Sequence, residues 1–178
     1  MKRSLVIICI LLALCALGLA ILQSYNRIHA YVTPTRTYAT LEKAIEDGVV
    51  RQGWLPDFLP RSAYNIREKH NYEQNTVVAC FSFDPSQNIL PMLSEAKQVP
   101  LSITKAIRPP VVGGREAWFP NALAEGKLED LTPAGFRLYR IERRERVGPY
   151  EAIATWHLAL NQNAGVCYLW FFQKGISQ

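Results

Sequence analysis

EAIATWHLALNQNAGVCYLWFF occupies residues 151–172. Ala152, Ala154, Trp156, Leu158 and Leu160 recur at every second position, which places them on one face of a β-strand. Residues 166–172, VCYLWFF, are apolar throughout and rich in aromatic side chains, as a second, well-buried strand requires. NQNAG at 161–165 joins the two as a hairpin loop. Either Val166, Tyr168 and Trp170 or Cys167, Leu169 and Phe171 then face the core beside Trp156. A one-residue slip exchanges the two sets, and the spacing alone does not choose between them.

Working outward, residues 136–144 form a third strand with one charged face, bounded by turn signals at 132–135 (TPAG) and 147–149 (VGP). The last three strands make an antiparallel three-stranded meander. TVVACFSF at 76–83 is a further strand, with Val77, Ala79, Phe81 and Phe83 on one face. Asp84-Pro85 starts a helix expected over 86–97, which Pro91 kinks or shortens. Residues 98–118, with PPVVGG at 109–114, are irregular, and 121–128 carries a short helix. TLEKAIEDGVVRQGW at 40–54 reads as a helix capped by Thr40. Leu41, Ala44, Ile45 and Val49 share one of its faces, and Gly53 ends it. Helices before and between strands define an α+β domain with an antiparallel sheet packed against a few helices.

The stretch GWLPDFLPRSAYNIREKHNYEQN covers residues 53–75. Leu55 and Leu59 each precede a proline, which biases both toward extended backbone. Trp54, Leu55, Phe58 and Leu59 are thus offered to the core from a stiff segment. From residue 62 to 75 the apolar periodicity is lost, and the polar run reads as a loop leading into the strand at 76–83.

Residues 5–22 hold 18 positions without a charge or strongly polar side chain. As a helix at about 1.5 Å per residue they span roughly 27 Å, close to the hydrocarbon thickness of a bilayer. Lys2 and Arg3 precede them, so the N-terminus stays in the cytoplasm and the following domain is exported. The block is longer than the apolar region of a cleaved signal peptide, and Ile28-His29-Ala30 is acceptable as a cleavage site only at Ala30. The expected organisation is an N-terminal transmembrane anchor or signal segment at 1–25, a polar linker at 26–39 and an exported domain at 40–178. The protein contacts the membrane through residues 5–22.

Charge and chemistry exclude several classes. The net charge is +5, but Lys2, Arg3 and Arg27 supply three of the 20 basic residues; the remaining 17 face 15 acids, leaving +2. A near-neutral domain lacks the basic footprint of nucleic-acid binding. Three histidines, His29, His70 and His157, show no metal-ligand spacing, and no Cys-x-x-Cys occurs. No metal site and no cofactor is expected. The adjacent acids Glu46-Asp47 and Glu129-Asp130 point apart and read as solvated surface. RLYRIERRER at 137–146 carries five arginines and reads as a solvated strand face laced with Arg–Glu pairs; the functional alternative is a patch for anionic partners. Cys9 and Cys15 lie in the apolar block. Cys80 and Cys167 lie in the exported part, either as a disulfide, which export permits, or as two buried free thiols. Ser62 with His70 is the nearest nucleophile–base pairing, without a Gly-x-Ser-x-Gly elbow.

Gly53-Trp54-Leu55-Pro56, Leu59-Pro60, Ser62-Ala63, Asn65-Ile66, Glu68, His70-Asn71 and Asn75, followed by Phe81-Ser82-Phe83, resemble a group of uncharacterised bacterial proteins with an N-terminal signal or membrane segment and a YbbD-type head domain. The resemblance covers residues 53–83 and implies bacterial origin and an envelope location, with no activity or catalytic residues. It makes 53–75 a connector that seals the core, with His70 orienting it by hydrogen bonds. The expectation is a single-pass protein of the bacterial cytoplasmic (inner) membrane, N-terminus inside. Its periplasmic or extracellular domain serves a binding or structural role toward an unnamed envelope protein or polymer. The alternative is a small envelope hydrolase with a site near Ser62 and His70.

Overall fold

The computed structural model describes residues 2–178 apart from 94, 101–108, 111, 113–115, 128–130, 148–149 and 174–178. Seven strands form one antiparallel sheet: β1 (Thr35–Thr40), β2 (Tyr64–Asn71), β3 (Thr76–Ser82), β4 (Lys97–Gln98), β5 (Arg137–Val147), β6 (Tyr150–Asn161) and β7 (Val166–Gln173). Their order is β1-β2-β3-β7-β6-β5-β4. The three-stranded meander expected from the sequence is therefore corrected to a seven-stranded sheet. β5, β6 and β7 are consecutive neighbours within it, and β3 pairs with β7 to join the N-terminal strands to them. The helices are α1 (Lys2–Val32), α2 (Leu41–Glu46) and α3 (Asn121–Glu125).

Both faces of the sheet are covered, which explains why β3 and β7 read as unbroken apolar runs. On the first face Val77, Ala79, Phe81 and Phe83 meet Trp156, Leu158 and Leu160, together with α2 and the 54–59 segment. On the second, Val78, Leu138, Ala159 and Trp170 meet Val99, Val112, Phe119, Leu123 and Leu131. The hairpin register pairs Trp156 with Phe171, Leu158 with Leu169 and Leu160 with Cys167. Cys167, Leu169 and Phe171 thus face the first core, and Trp170 the second.

Several sequence expectations change. Thr40 caps α2, its Oγ1 accepting from the Lys43 N–H at 3.4 Å. The helix stops at Glu46 rather than near Gly53, because Gly48 takes φ +82° and breaks the helical run. Leu41, Ala44 and Val49 are buried, but Ile45 is exposed. The expected linker at 26–39 is helix to Val32 and then edge strand β1. The expected polar loop at 62–75 contains β2, whose Glu68, Lys69, His70 and Asn71 are buried rather than solvated. The helix expected over 86–97 does not form. Asp84 Oδ1 accepts from the Ser86 N–H at 2.9 Å and from its Oγ–H at 2.7 Å, closing a turn, and only a 3-10 turn follows at Leu90–Leu93. α3 ends early at Gly126, which adopts φ 72°.

Among the described residues no helix is long and apolar enough to cross a membrane. The side chains described on α1 before the domain are those of residues 11–25, and every one is exposed. Leu11, Leu12, Leu14, Leu17, Leu19, Ile21 and Leu22 all stand clear of the domain core.

Candidate functional site

β2 places Ile66, Glu68 and His70 on one face at period two, opposite Tyr38 and Arg36 of β1 and Ala79 and Val77 of β3. Glu68 and His70 are both completely buried, and His70 Nδ1 lies 2.8 Å from Glu68 Oε2. The imidazole stacks on Trp54, with ring centroids 4.2 Å apart and planes 9° from parallel, and meets the edge of Tyr72 at 4.6 Å. Arg36 Nε stands 4.0 Å from Glu68 Oε1, while Arg36 Nη1 donates to Asp47 Oδ2 at 2.8 Å. Tyr38 O–H donates to the same oxygen at 2.6 Å. The Tyr38 hydrogen bond and then Arg36 hold the Asp47 carboxyl below its usual range. Burial and the bond to Asp47 push the Tyr38 phenol up.

Asp47, Arg36, Glu68 and His70 thus form a graded polar chain, running from a partly solvated acid to a fully dry imidazole. Its chemistry is that of a brace. The 54–59 segment is fixed over β2 by the Trp54–His70 stack, and Glu68 meets His70 through Oε2 while its Oε1, 4.0 Å from Arg36, has no hydrogen-bond donor among the described residues. Sequence reasoning counted Glu68 among the residues that carry the resemblance but gave it no role. The alternation Ile66-Glu68-His70 beneath Trp54 was the available signal, and the polarity of the positions concealed it. On the other face of β2, Lys69 Nζ binds Glu116 Oε1 at 2.7 Å, and Trp118 Nε1 donates to Glu116 Oε2 at 3.0 Å.

Ser62 and His70 do not hydrogen-bond to each other. Ser62 Oγ donates to Gln87 Oε1, and the His70 partner is Glu68. A fully buried imidazole has no face to offer a substrate, so the geometry does not assemble the hydrolase alternative. His157 lies on the second face, stacked near Trp170 with centroids 5.6 Å apart. Burial, aided by the Arg140 charge, pushes it down to about 4. His29 and the pair Glu129-Asp130 fall outside the described side chains. Among the described residues no group of three His, Cys, Asp or Glu is placed to hold a metal.

Cys80 and Cys167 are free thiols on neighbouring strands. Phe81, not Cys80, pairs with Cys167, so the two sulfurs leave opposite faces of the sheet. The disulfide alternative is corrected on that ground. Burial pushes Cys80 up to about 11 and Cys167 higher still. Of the β5 arginines, Arg143 Nε binds Glu95 Oε2 at 2.9 Å, its Nη1 donates to Asp57, and its guanidinium lies 5.2 Å from the Phe58 ring centre. Arg140 Nε lies 3.3 Å from Glu142 Oε1. The side chains of residues 144 and 146 are outside the described set.

Residues 33–82 match the family model of the YbbD head domain. The match spans β1, α2, β2 and β3, together with the polar chain built on them, so this N-terminal part of the sheet is similar to a YbbD head domain. It begins 20 residues before Gly53, taking in β1 and α2 as well as the stretch that carries the resemblance. Neither the curated proteins nor the solved structures give a match to the chain.

Proposed function

We propose that the chain is a single-pass protein of a bacterial inner membrane, with its N-terminus inside and its α+β domain outside, where the domain serves a binding or structural role. One observation carries the membrane reading. The described turns of α1 present leucine and isoleucine on every side, and none of those side chains packs on the domain. A helix apolar all round needs an apolar surrounding, and the sheet does not supply one. The 18-residue apolar run of the sequence and the basic pair before it agree with a membrane seat.

A binding or structural role is favoured over catalysis because Glu68 and His70 of the head unit are fully buried and engaged with each other. The test is extraction of membranes with alkaline carbonate. Full-length protein is expected to stay in the pellet. Release into the supernatant, or a mature N-terminus beginning at Tyr31, would overturn the anchor.

A further inference from the structure

Three turns meet at one end of the sheet: residues 84–90 after β3, 132–136 before β5, and 162–165 between β6 and β7. Between them lies a groove of about 580 Å³, within the range of small-molecule sites. Asn88, Gln162 and Asn163 are among the residues that line it, with Phe136, Tyr139 and Arg137. No carboxylate is among its lining residues.

The groove is built before any ligand arrives. Gln162 Nε2 donates to Pro85 O at 3.0 Å and to Gln87 O at 2.8 Å, tying the first turn to the hairpin. Asn161 Nδ2 donates to Ala134 O at 2.6 Å, tying in the second. Phe83 N–H donates to Gly165 O at 2.9 Å. A Cβ at Gly165 would stand 2.3 Å from Phe83 O, so this close approach requires glycine. Because the Gln162 amide nitrogen faces two carbonyls, its orientation is fixed. Its Oε1 then has no hydrogen-bond donor among the described residues.

Arg137 supplies the charge. Unlike Arg140 and Arg143 on the same strand, it is exposed and has no acidic partner among the described residues. A planar cationic fork beside amides and an aromatic ring suits a carboxylate that also carries hydroxyls. We infer that this groove binds a hydroxylated carboxylate of sugar type, a uronic acid, with its carboxylate on Arg137, its hydroxyls on the amides and its apolar ring face on Phe136. The inference rests on the binding reading above and names its ligand class. The membrane seat is tested separately by carbonate extraction, so failure here leaves that reading standing.

The test is calorimetric titration of the full-length protein in mild detergent with galacturonic and glucuronic acids, against galactose and acetate. Uronate binding is expected, with galactose and acetate each at least tenfold weaker. Arg137→Gln should weaken uronate binding at least tenfold, about 1.4 kcal/mol. Arg137→Lys, which keeps the charge but loses the fork, should fall between. Arg137 is exposed, so an unchanged unfolding midpoint in both variants shows that the fold is intact. No heat from either uronate would overturn the proposal, as would equal affinity in wild type and Arg137→Gln. Acetate binding as tightly as uronate would also overturn it, since only charge would then be recognised.

Discussion

Removing one member of the Glu68–His70 pair should be among the costliest single changes in the domain. Both side chains are fully buried and 2.8 Å apart, and the imidazole is sandwiched against Trp54. Glu68→Leu leaves His70 with no hydrogen-bond partner among the described residues and removes the buried carboxylate that Arg36 faces at 4.0 Å. A buried polar group left without its hydrogen-bond partner costs about 1–3 kcal/mol. His70→Ala strands the carboxylate instead and also removes the stack on Trp54, worth about 0.5–1.5 kcal/mol beyond the area it buries. Total stabilities are only about 5–15 kcal/mol, so either single variant should be visibly compromised. The double variant Glu68→Leu/His70→Phe keeps the volume and the ring but removes the polar demand, and should be more stable than Glu68→Leu alone. The assay is urea unfolding followed by circular dichroism, with wild type, Glu68→Leu, His70→Phe and the double variant treated as a double-mutant cycle. A loss below about 1 kcal/mol for Glu68→Leu, or strictly additive losses, would refute the view that the pair acts as a unit.

Acid should unfold the domain partly through His157. In the folded state it accepts a proton only near pH 4, whereas an unfolded histidine does so near 6.5. Its contribution is therefore complete above 6.5 and is lost as the pH falls toward 4, by up to about 3 kcal/mol at 1.36 kcal/mol per pH unit. His157→Phe should flatten the stability profile between pH 6.5 and 4.5, and parallel profiles in the two proteins would contradict this. Thiol labelling after denaturation without reductant should find both Cys80 and Cys167 reactive. In the native state both should react slowly, because burial holds the thiols protonated. A mass two units lower that resists labelling would show a bridge instead.

Alternation and turn chemistry made β6, β7 and their loop legible in the sequence, because a half-buried strand repeats every two residues whatever it later pairs with. The same holds for Thr40 as a cap and for the apolar anchor residues of 54–59, whose conformations are set by their immediate neighbours. The path of β2 was not legible. Glu68, Lys69 and His70 look like solvated residues until the fold supplies Arg36, Glu116 and Trp54, none of them adjacent in the chain. The helix expected over 86–97 was lost to a local competitor, since the Asp84 carboxylate and Pro91 favour a turn and a short 3-10 segment. The face of each cysteine followed from register, which no single strand contains. Only the tertiary structure decided that β3 joins β7 and that three distant turns close one groove. Both depend on interactions between segments far apart in the chain, while local sequence specifies only which faces are apolar and where the chain can turn.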